Sequence, residues 1–250
     1  MLAGDSQGLS DRLDGVAQRI RAYRVKYEAR HDDRAVFAFA YELITEDLAR
    51  NVDPSRFQKP EWVVALDEAF VNRFARAMDA YDARTEVPPG WNFILQQLAE
   101  RRTSVLEALV LGMVSHIVWD LPLALNDVTA ETLPSAIADY HSVNDVLEHA
   151  ISGLQRAVTR RYNPFFAWLD LLAGRQDEVL TNFGIRMGRG MAWYNAQRLR
   201  DERSRDAALE SIARSPRMLA RELLSPPFAP VWIAVRALRW LSSWFRRWPR

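Results

Sequence analysis

His116 and Asp120 stand four residues apart in an otherwise apolar run, and they are the residues of this chain best suited to chemistry. On a helix that spacing puts both side chains on one face, a turn apart. An imidazole titrates near neutrality, so His116 is a candidate general acid or base. A carboxylate on one ring nitrogen would orient it. Gly112 continues the line at the same interval, with Ser115 beside it, and a glycine there is expected to leave space next to the imidazole.

A carboxylate in an apolar interior is costly unless it is protonated, paired, hydrogen-bonded or bound to a metal. Asp67 falls within the apolar arc of its own predicted helix, as do Tyr41 and Thr45 on theirs, and Asn144 lies beside the face of Tyr140, Leu147 and Ile151. Together these could line one polar pocket. Arg186 and Arg189, with Asn182 and Trp193, form a stripe on a later helix, away from an apolar face of Leu180, Phe183, Met187, Met191 and Tyr194. Arginine suits bidentate pairing in partly buried sites, so Arg186 is the expected partner of Asp67 or Asp120. Trp91, on the turn Pro88-Pro89-Gly90-Trp91, is the expected pocket edge. The bland alternative is a structural hydrogen-bond network that ties helices together and serves no substrate.

Other constellations carry less. His141, Asp145 and His149 share the four-residue spacing, but the apolar arc of Tyr140, Val143, Leu147, Ile151 and Leu154 turns Asp145 and His149 toward solvent, so no metal is expected there. A di-iron bundle needs Glu-x-x-His motifs, whereas Glu148 directly precedes His149. The sequence holds no Gly-rich phosphate loop, no Gly-x-Ser-x-Gly elbow and no His-Glu-x-x-His. No cofactor is expected.

The elements that must position these residues are helices. Apolar residues recur at helical spacing throughout, without the sustained alternation of a sheet, which predicts an all-α multi-helix bundle. Helices are expected over residues 11–29, from the Asp32-Asp33 cap onward, over 61–83, and from Pro89 to Arg101. Ser104 and Glu107 have capping-box spacing and open the central buried helix, about residues 103–121, which is expected to stop near Pro122. Further helices are expected from Thr132 to Arg161, from Asn163 to Gly174, and from Gln176 to Arg203.

With 250 residues, 49% of them hydrophobic, and a net charge of +1, the chain reads as a helical-bundle domain over 1–203 plus a basic, Trp/Arg-rich helical appendage over 204–250. That near-neutral balance gives no case for nucleic acid. Without cysteine there is no thiolate chemistry. The opening residues lack the apolar run of a signal peptide, so a cytoplasmic location is expected. In the appendage, Val231, Val235, Leu238, Leu241 and Phe245 share a face flanked by arginines and by Trp232, Trp240 and Trp244. That composition suits packing on the bundle, a partner helix or a peripheral membrane contact.

The run Gly112-Met-Val-Ser-His116-Ile-Val-Trp-Asp120-Leu-Pro-Leu-Ala-Leu125, with Asp33 to Phe37, Tyr41 and Thr45 upstream and Asp139 to Asn144 and Arg186 to Trp193 downstream, resembles a bacterial all-helical domain-of-unknown-function family. The resemblance spans roughly residues 32–198 and implies a helical fold without an activity. His116-x-x-x-Asp120 is also superficially similar to the helix motif of zinc-dependent phospholipases C. Those carry several more histidines, and this chain adds only His31, His141 and His149.

Three functions follow from these residues. The first is a small-molecule enzyme with His116 as acid or base, Asp120 or Asp67 as its orienting carboxylate and Arg186 as electrostatic partner, acting on a largely apolar substrate by rearrangement, elimination or cyclisation. The second is a non-catalytic ligand-binding or peripheral membrane protein. The third is a hydrolase with a single metal held by His116 and carboxylates.

Overall fold

The computed structural model describes residues 2–225 apart from 54, 102, 129–133 and 164–175, together with Ala237, Trp240, Trp244, Arg246, Trp248 and Pro249. Among these residues the fold is all-helical, with no strand. The helices are α1 (Leu2–Glu28), α2 (Arg34–Asn51), α3 (Pro60–Asp82), α4 (Pro89–Ala99), α5 (Val105–Ser115), α6 (Leu121–Asp127), α7 (Ile137–Tyr162), α8 (Gln176–Arg200) and α9 (Arg205–Leu224).

Local chemistry sets several boundaries. Pro60 and Pro89 sit in first turns, where a missing N–H costs nothing. Ser104 accepts from the Glu107 amide while the Glu107 carboxylate accepts from the Ser104 amide, a complete capping box that starts α5. At the start of α2 the capping signal is shared differently. Asp32 accepts from the Arg34 amide at 3.0 Å, while Asp33 is committed to Thr103 and Arg246. Helices α1, α3 and α4 end with His31, Arg84 and Arg101 in the left-handed region, φ 55°, 55° and 56°. The amides of Asp32 and Thr85 then return to the carbonyls of Tyr27 and Ala80.

The central apolar run does not stop at Pro122. It continues as a π-helical turn, His116–Asp120, and then as α6, with the Leu121 amide reaching back to the His116 carbonyl. Proline donates no hydrogen bond and its ring crowds the carbonyl four residues back, and the wider π turn relieves both constraints. The run Val105–Asp127, whose most apolar 18-residue stretch has a mean hydropathy of 1.7, is long and apolar enough to cross a membrane by length and composition. Here it forms the middle of the bundle, packed by α2, α3, α4, α7, α8 and α9. It is not enclosed on every side as its composition suggests. Leu106 is exposed, and Val110, Met113, Val114, Ile117 and Val118 are only half-buried along one stripe.

Two cores flank this helix. One gathers Ile20, Val36, Phe37, Phe74, Trp91, Leu95 and Leu111 with Ala208, Ile212, Ala220 and Leu224 of α9, and the other gathers Leu13, Phe57, Val64, Leu125, Tyr140 and Ala196. On α8 the buried face is Ile185, Arg189, Ala192, Trp193, Ala196 and Leu199, whereas Met187, Met191 and Tyr194 are more than half exposed. The helix is thus turned away from the stripe that its large apolar residues suggest. Small Ala192 and Ala196 let it approach α6 closely, which a face of Met and Tyr would prevent. The apolar face expected over 231–245 and the helix expected from Asn163 to Gly174 lie outside the described residues.

Candidate functional site

The π turn brings His116 Nδ1 to 2.9 Å from Asp120 Oδ2. Trp91 Nε1, from the first turn of α4, donates to the same oxygen at 2.8 Å. Ser115 locks the turn against α4 by donating to the Gly90 carbonyl at 2.7 Å. Trp119 lies so close to Gly90 that no Cβ fits there. The imidazole is stacked on Phe70, ring centroids 3.4 Å apart and planes within 7°, and is surrounded by Tyr41, Phe37, Phe74 and Trp91.

Burial dominates the electrostatics. It pushes the His116 pKa well below its usual value and the Asp120 pKa well above, although the Trp91 hydrogen bond pulls the latter back. The pair is therefore held neutral, since desolvation penalises either charged form. When Nδ1 carries the ring proton, Oδ2 accepts from both Nδ1 and Trp91, and Nε2 is left as a bare lone pair. His116 Nε2 has no hydrogen-bond partner among the described residues.

His116 lines a small cavity of about 100 Å³, bounded by α2, α3, the central helix, α7 and α8. Its walls are apolar except at Tyr41, Asp67, His116 and Arg189. Tyr41 Oη and Asp67 Oδ2 are buried without partners among the described residues, as is Thr45 Oγ1 one turn further along α2. Burial raises the Asp67 pKa to about 7, with the Glu68 charge adding to the rise and Arg189 opposing it. Arg189 donates from Nε to Asn144 Oδ1 at 2.6 Å and from Nη2 to the Tyr140 carbonyl at 3.0 Å, and its guanidinium lies 4.2 Å above the Tyr140 ring. Both acceptors are neutral. Burial lowers the Arg189 pKa, against the pull of Tyr140 and Asp67. On the other side of Asp120, a polar cleft of about 690 Å³ is lined by Arg73, Arg76, Asp79, Glu86 and Asp120 itself.

A family of unknown function, DUF5995, matches residues 13–226, which carry every side chain of this cavity. The chain belongs to the DUF5995 family. No curated protein and no solved structure matches it. A helical family of unknown function is the expectation from the central run, and the match is consistent with it: the family is of unknown function, the chain is all-helical among the described residues, and the matched segment takes in α9 as well as the bundle.

In this DUF5995 chain, His116, Asp67, Tyr41 and Arg189 meet at one cavity, and Asp120 and Trp91 stand behind the imidazole. Four expectations are corrected. Arg186 is not the partner of Asp67 or Asp120; it is half exposed and bridges to Asp145 at 3.1 Å and Glu148 at 2.6 Å on α7. Its neighbour Arg189, most of a turn further on, points inward instead. Gly112 opens no space, because Phe37 occupies the position where a Cβ would stand. Trp91 is fully buried, so it supports Asp120 and forms no pocket edge. Asn144 and Trp193 do not line the cavity. Asn144 holds Arg189, and Trp193 packs on Tyr140 with ring centroids 4.8 Å apart.

Phe70, the ring stacked on His116, reads in the sequence only as part of the apolar face of α3. The available signal was its position three residues after Asp67, on the same side of α3. For a metal, no group of three or more His, Asp or Glu side chains comes together among the described residues. Asp145 of the His141, Asp145, His149 series is exposed and bound to Arg186, and the side chain of His149 lies outside the described residues.

The described part of the tail divides in two. Arg246 bridges to the buried Asp33 at 2.7 Å, and Trp248 stacks on His31 with centroids 5.6 Å apart. Trp240 and Trp244 are 61% and 72% exposed, their rings 5.6 Å apart.

Proposed function

We propose that this protein is a small-molecule enzyme in which His116 Nε2 exchanges a proton with a largely apolar substrate. The observation that carries the reading is a buried imidazole lining a cavity, with one ring nitrogen unpartnered among the described residues and the other fixed by the Asp120 carboxyl group. Unpartnered polar atoms are expensive in an apolar interior, and His116, Tyr41 and Asp67, each with such an atom among the described residues, line one space. A substrate that offers a donor or acceptor at each would offset that cost.

The dyad can move a proton without acquiring charge. As Nε2 takes a proton from a substrate C–H or O–H, Nδ1 passes its proton to Asp120 Oδ2, and Oδ1 releases its own to the cleft that Asp120 also lines. The electron pair left on the substrate then serves an isomerisation, an elimination or a ring closure. Tyr41, whose ring centroid lies 4.4 Å from that of the imidazole and which lines the same cavity, is the donor to the developing oxyanion or enolate. Raising its own pKa, burial keeps Tyr41 protonated for that role.

The test is a small-molecule extract of bacterial cells incubated in D2O with the wild-type protein or with His116→Asn. The expected result is one compound whose amount or deuterium content changes with the wild type and not with the variant. Identical profiles from the two proteins would remove the catalytic reading and leave a ligand-binding protein whose dyad only braces the bundle.

A membrane surface is the partner proposed for the tail. Two adjacent indoles held in solvent, on a segment anchored through Arg246 and Trp248, suit the interfacial region of a bilayer. Co-sedimentation with anionic liposomes should fall on Trp240→Ser/Trp244→Ser. Unchanged sedimentation would remove the proposal.

A further inference from the structure

The small cavity does not stand alone. A second apolar hollow of about 350 Å³ runs along the half-buried stripe of the central helix, and Met113, Ile117 and Ile185 line both spaces. These three shared aliphatic side chains are the partition between the two linings, one of them an unbranched methionine that repacks at little cost. The outer hollow has an open rim, with Leu106 and Leu219 at 55% and 42% exposure. On α8 it is bordered by Gly184 and Gly188, and Ile185 is followed one turn later, on the same face, by Arg189. Thus a buried guanidinium stands one helical turn from the partition. Its hydrogen bonds go to neutral acceptors, and no ion pair forms at it among the described residues.

We infer that the ligand of this site is a single-chain aliphatic carboxylate, its head group at Arg189 in the inner cavity and its chain passing Met113, Ile117 and Ile185 into the outer hollow. The inference rests on the reading of the His116 cavity as a small-molecule site, and it names the substrate class. Size supports it, because an inner space of about 100 Å³ holds a head group and a few carbons, and the remainder must leave through the partition. Charge supports it as well. Desolvated arginine favours an anion, and the only carboxylate lining the same cavity among the described residues, Asp67, is one that burial drives toward its neutral form. The chain's walls in the outer hollow are Leu, Val, Ile and Met throughout, apart from the two glycines and the methionine-lined partition.

The experiment is calorimetric titration of the full chain with decanoate, decyltrimethylammonium and butanoate, using the wild type and Gly184→Leu. A Cβ at Gly184 meets nothing within 4 Å, so leucine fills the hollow without displacing the site. Decanoate should bind about tenfold or more tightly than decyltrimethylammonium, which has the same chain and the opposite charge, and about tenfold or more tightly than butanoate, for the methylenes it buries. Gly184→Leu should weaken decanoate by about tenfold and leave butanoate within about threefold. Equal affinity for the two ten-carbon ions, no decanoate binding by the wild type, or decanoate binding untouched by Gly184→Leu would each overturn the inference. If the variant does not fold, the comparison of ions on the wild type decides it. Decanoate binding without any His116-dependent change in the extract keeps this inference and removes the acid/base reading; a His116-dependent substrate with no decanoate binding does the reverse.

Discussion

Asp67 and Arg189 face one cavity from α3 and α8 without meeting in an ion pair. Arg189 and the Asp67 Oδ2 atom are buried, neither residue forms an ion pair among the described residues, and the pKa of each is displaced toward its neutral form by desolvation. An arrangement so costly to the apo fold is what a binding site, rather than a stabilising bridge, requires.

Asp67 should therefore destabilise the protein at neutral pH. Its folded pKa of about 7 lies above the ordinary 3.8, so the folded state holds a proton that the unfolded chain has already lost. Stability from this group is fully present below about pH 4 and is lost as pH rises to about 7, because the folded state binds more protons across that window. Asp67→Asn should flatten that decline and raise stability at pH 8 by up to about 4 kcal/mol, at about 1.36 kcal/mol per unit of displacement. Urea midpoints at pH 5 and pH 8 check it, and an unchanged or lowered midpoint at pH 8 would contradict it.

Trp91 supports Asp120 through one hydrogen bond inside a packed core. Trp91→Phe keeps much of the ring and removes the donor, leaving Asp120 Oδ2 with His116 alone. The expected cost is about 1–3 kcal/mol, read from thermal or urea unfolding. A loss under about 0.5 kcal/mol would mean that the indole serves only as volume.

Gly112 and Gly184 give opposite expectations for the same substitution. Gly112→Ala drives a methyl into Phe37, one of the rings around His116, and should cost about 1–3 kcal/mol. Gly184→Ala meets open space and should gain up to about 1 kcal/mol from helix propensity. Unfolding curves of the two variants test the packing directly.

The two arginines of α8 should differ as sharply. Arg186→Ala removes an exposed bridge worth about 0–1 kcal/mol. Arg189→Gln removes hydrogen bonds to Asn144 and Tyr140 in a buried site and should lower stability at least about 1 kcal/mol more, as measured by urea unfolding.

This contrast marks the limit of what the sequence discloses. The i, i+4 line of His116 and Asp120 and the inward setting of Asp67 and Tyr41 are readable, because each stands among apolar residues at helical spacing. The choice between Arg186 and Arg189 is not. On α8, one face carries Met187, Met191 and Tyr194 and the other Ile185, Ala192, Trp193 and Ala196, and hydrophobicity alone favours the wrong one. Close helix approach favours the face with small residues, and that depends on α6, which periodicity does not see. The π turn escapes for a similar reason: Pro122 signals a stop, and only the packing of flanking residues shows the helix continuing. Gly112 suggests space in the sequence, because a missing side chain does not reveal which neighbour takes its place.

The central claim is that His116 is a neutral imidazole with Nδ1 engaged by Asp120 and Nε2 free to act. Nitrogen-15 NMR of the histidine rings, with His116 assigned by its loss in His116→Asn, tests it most directly. The account predicts one pyrrole-type nitrogen, Nδ1, and one pyridine-type nitrogen, Nε2, with no change between about pH 8 and pH 5, since burial holds the pKa well below about 6.5. A His116 ring that titrates near its ordinary value, or that carries protons on both nitrogens at pH 8, would contradict it.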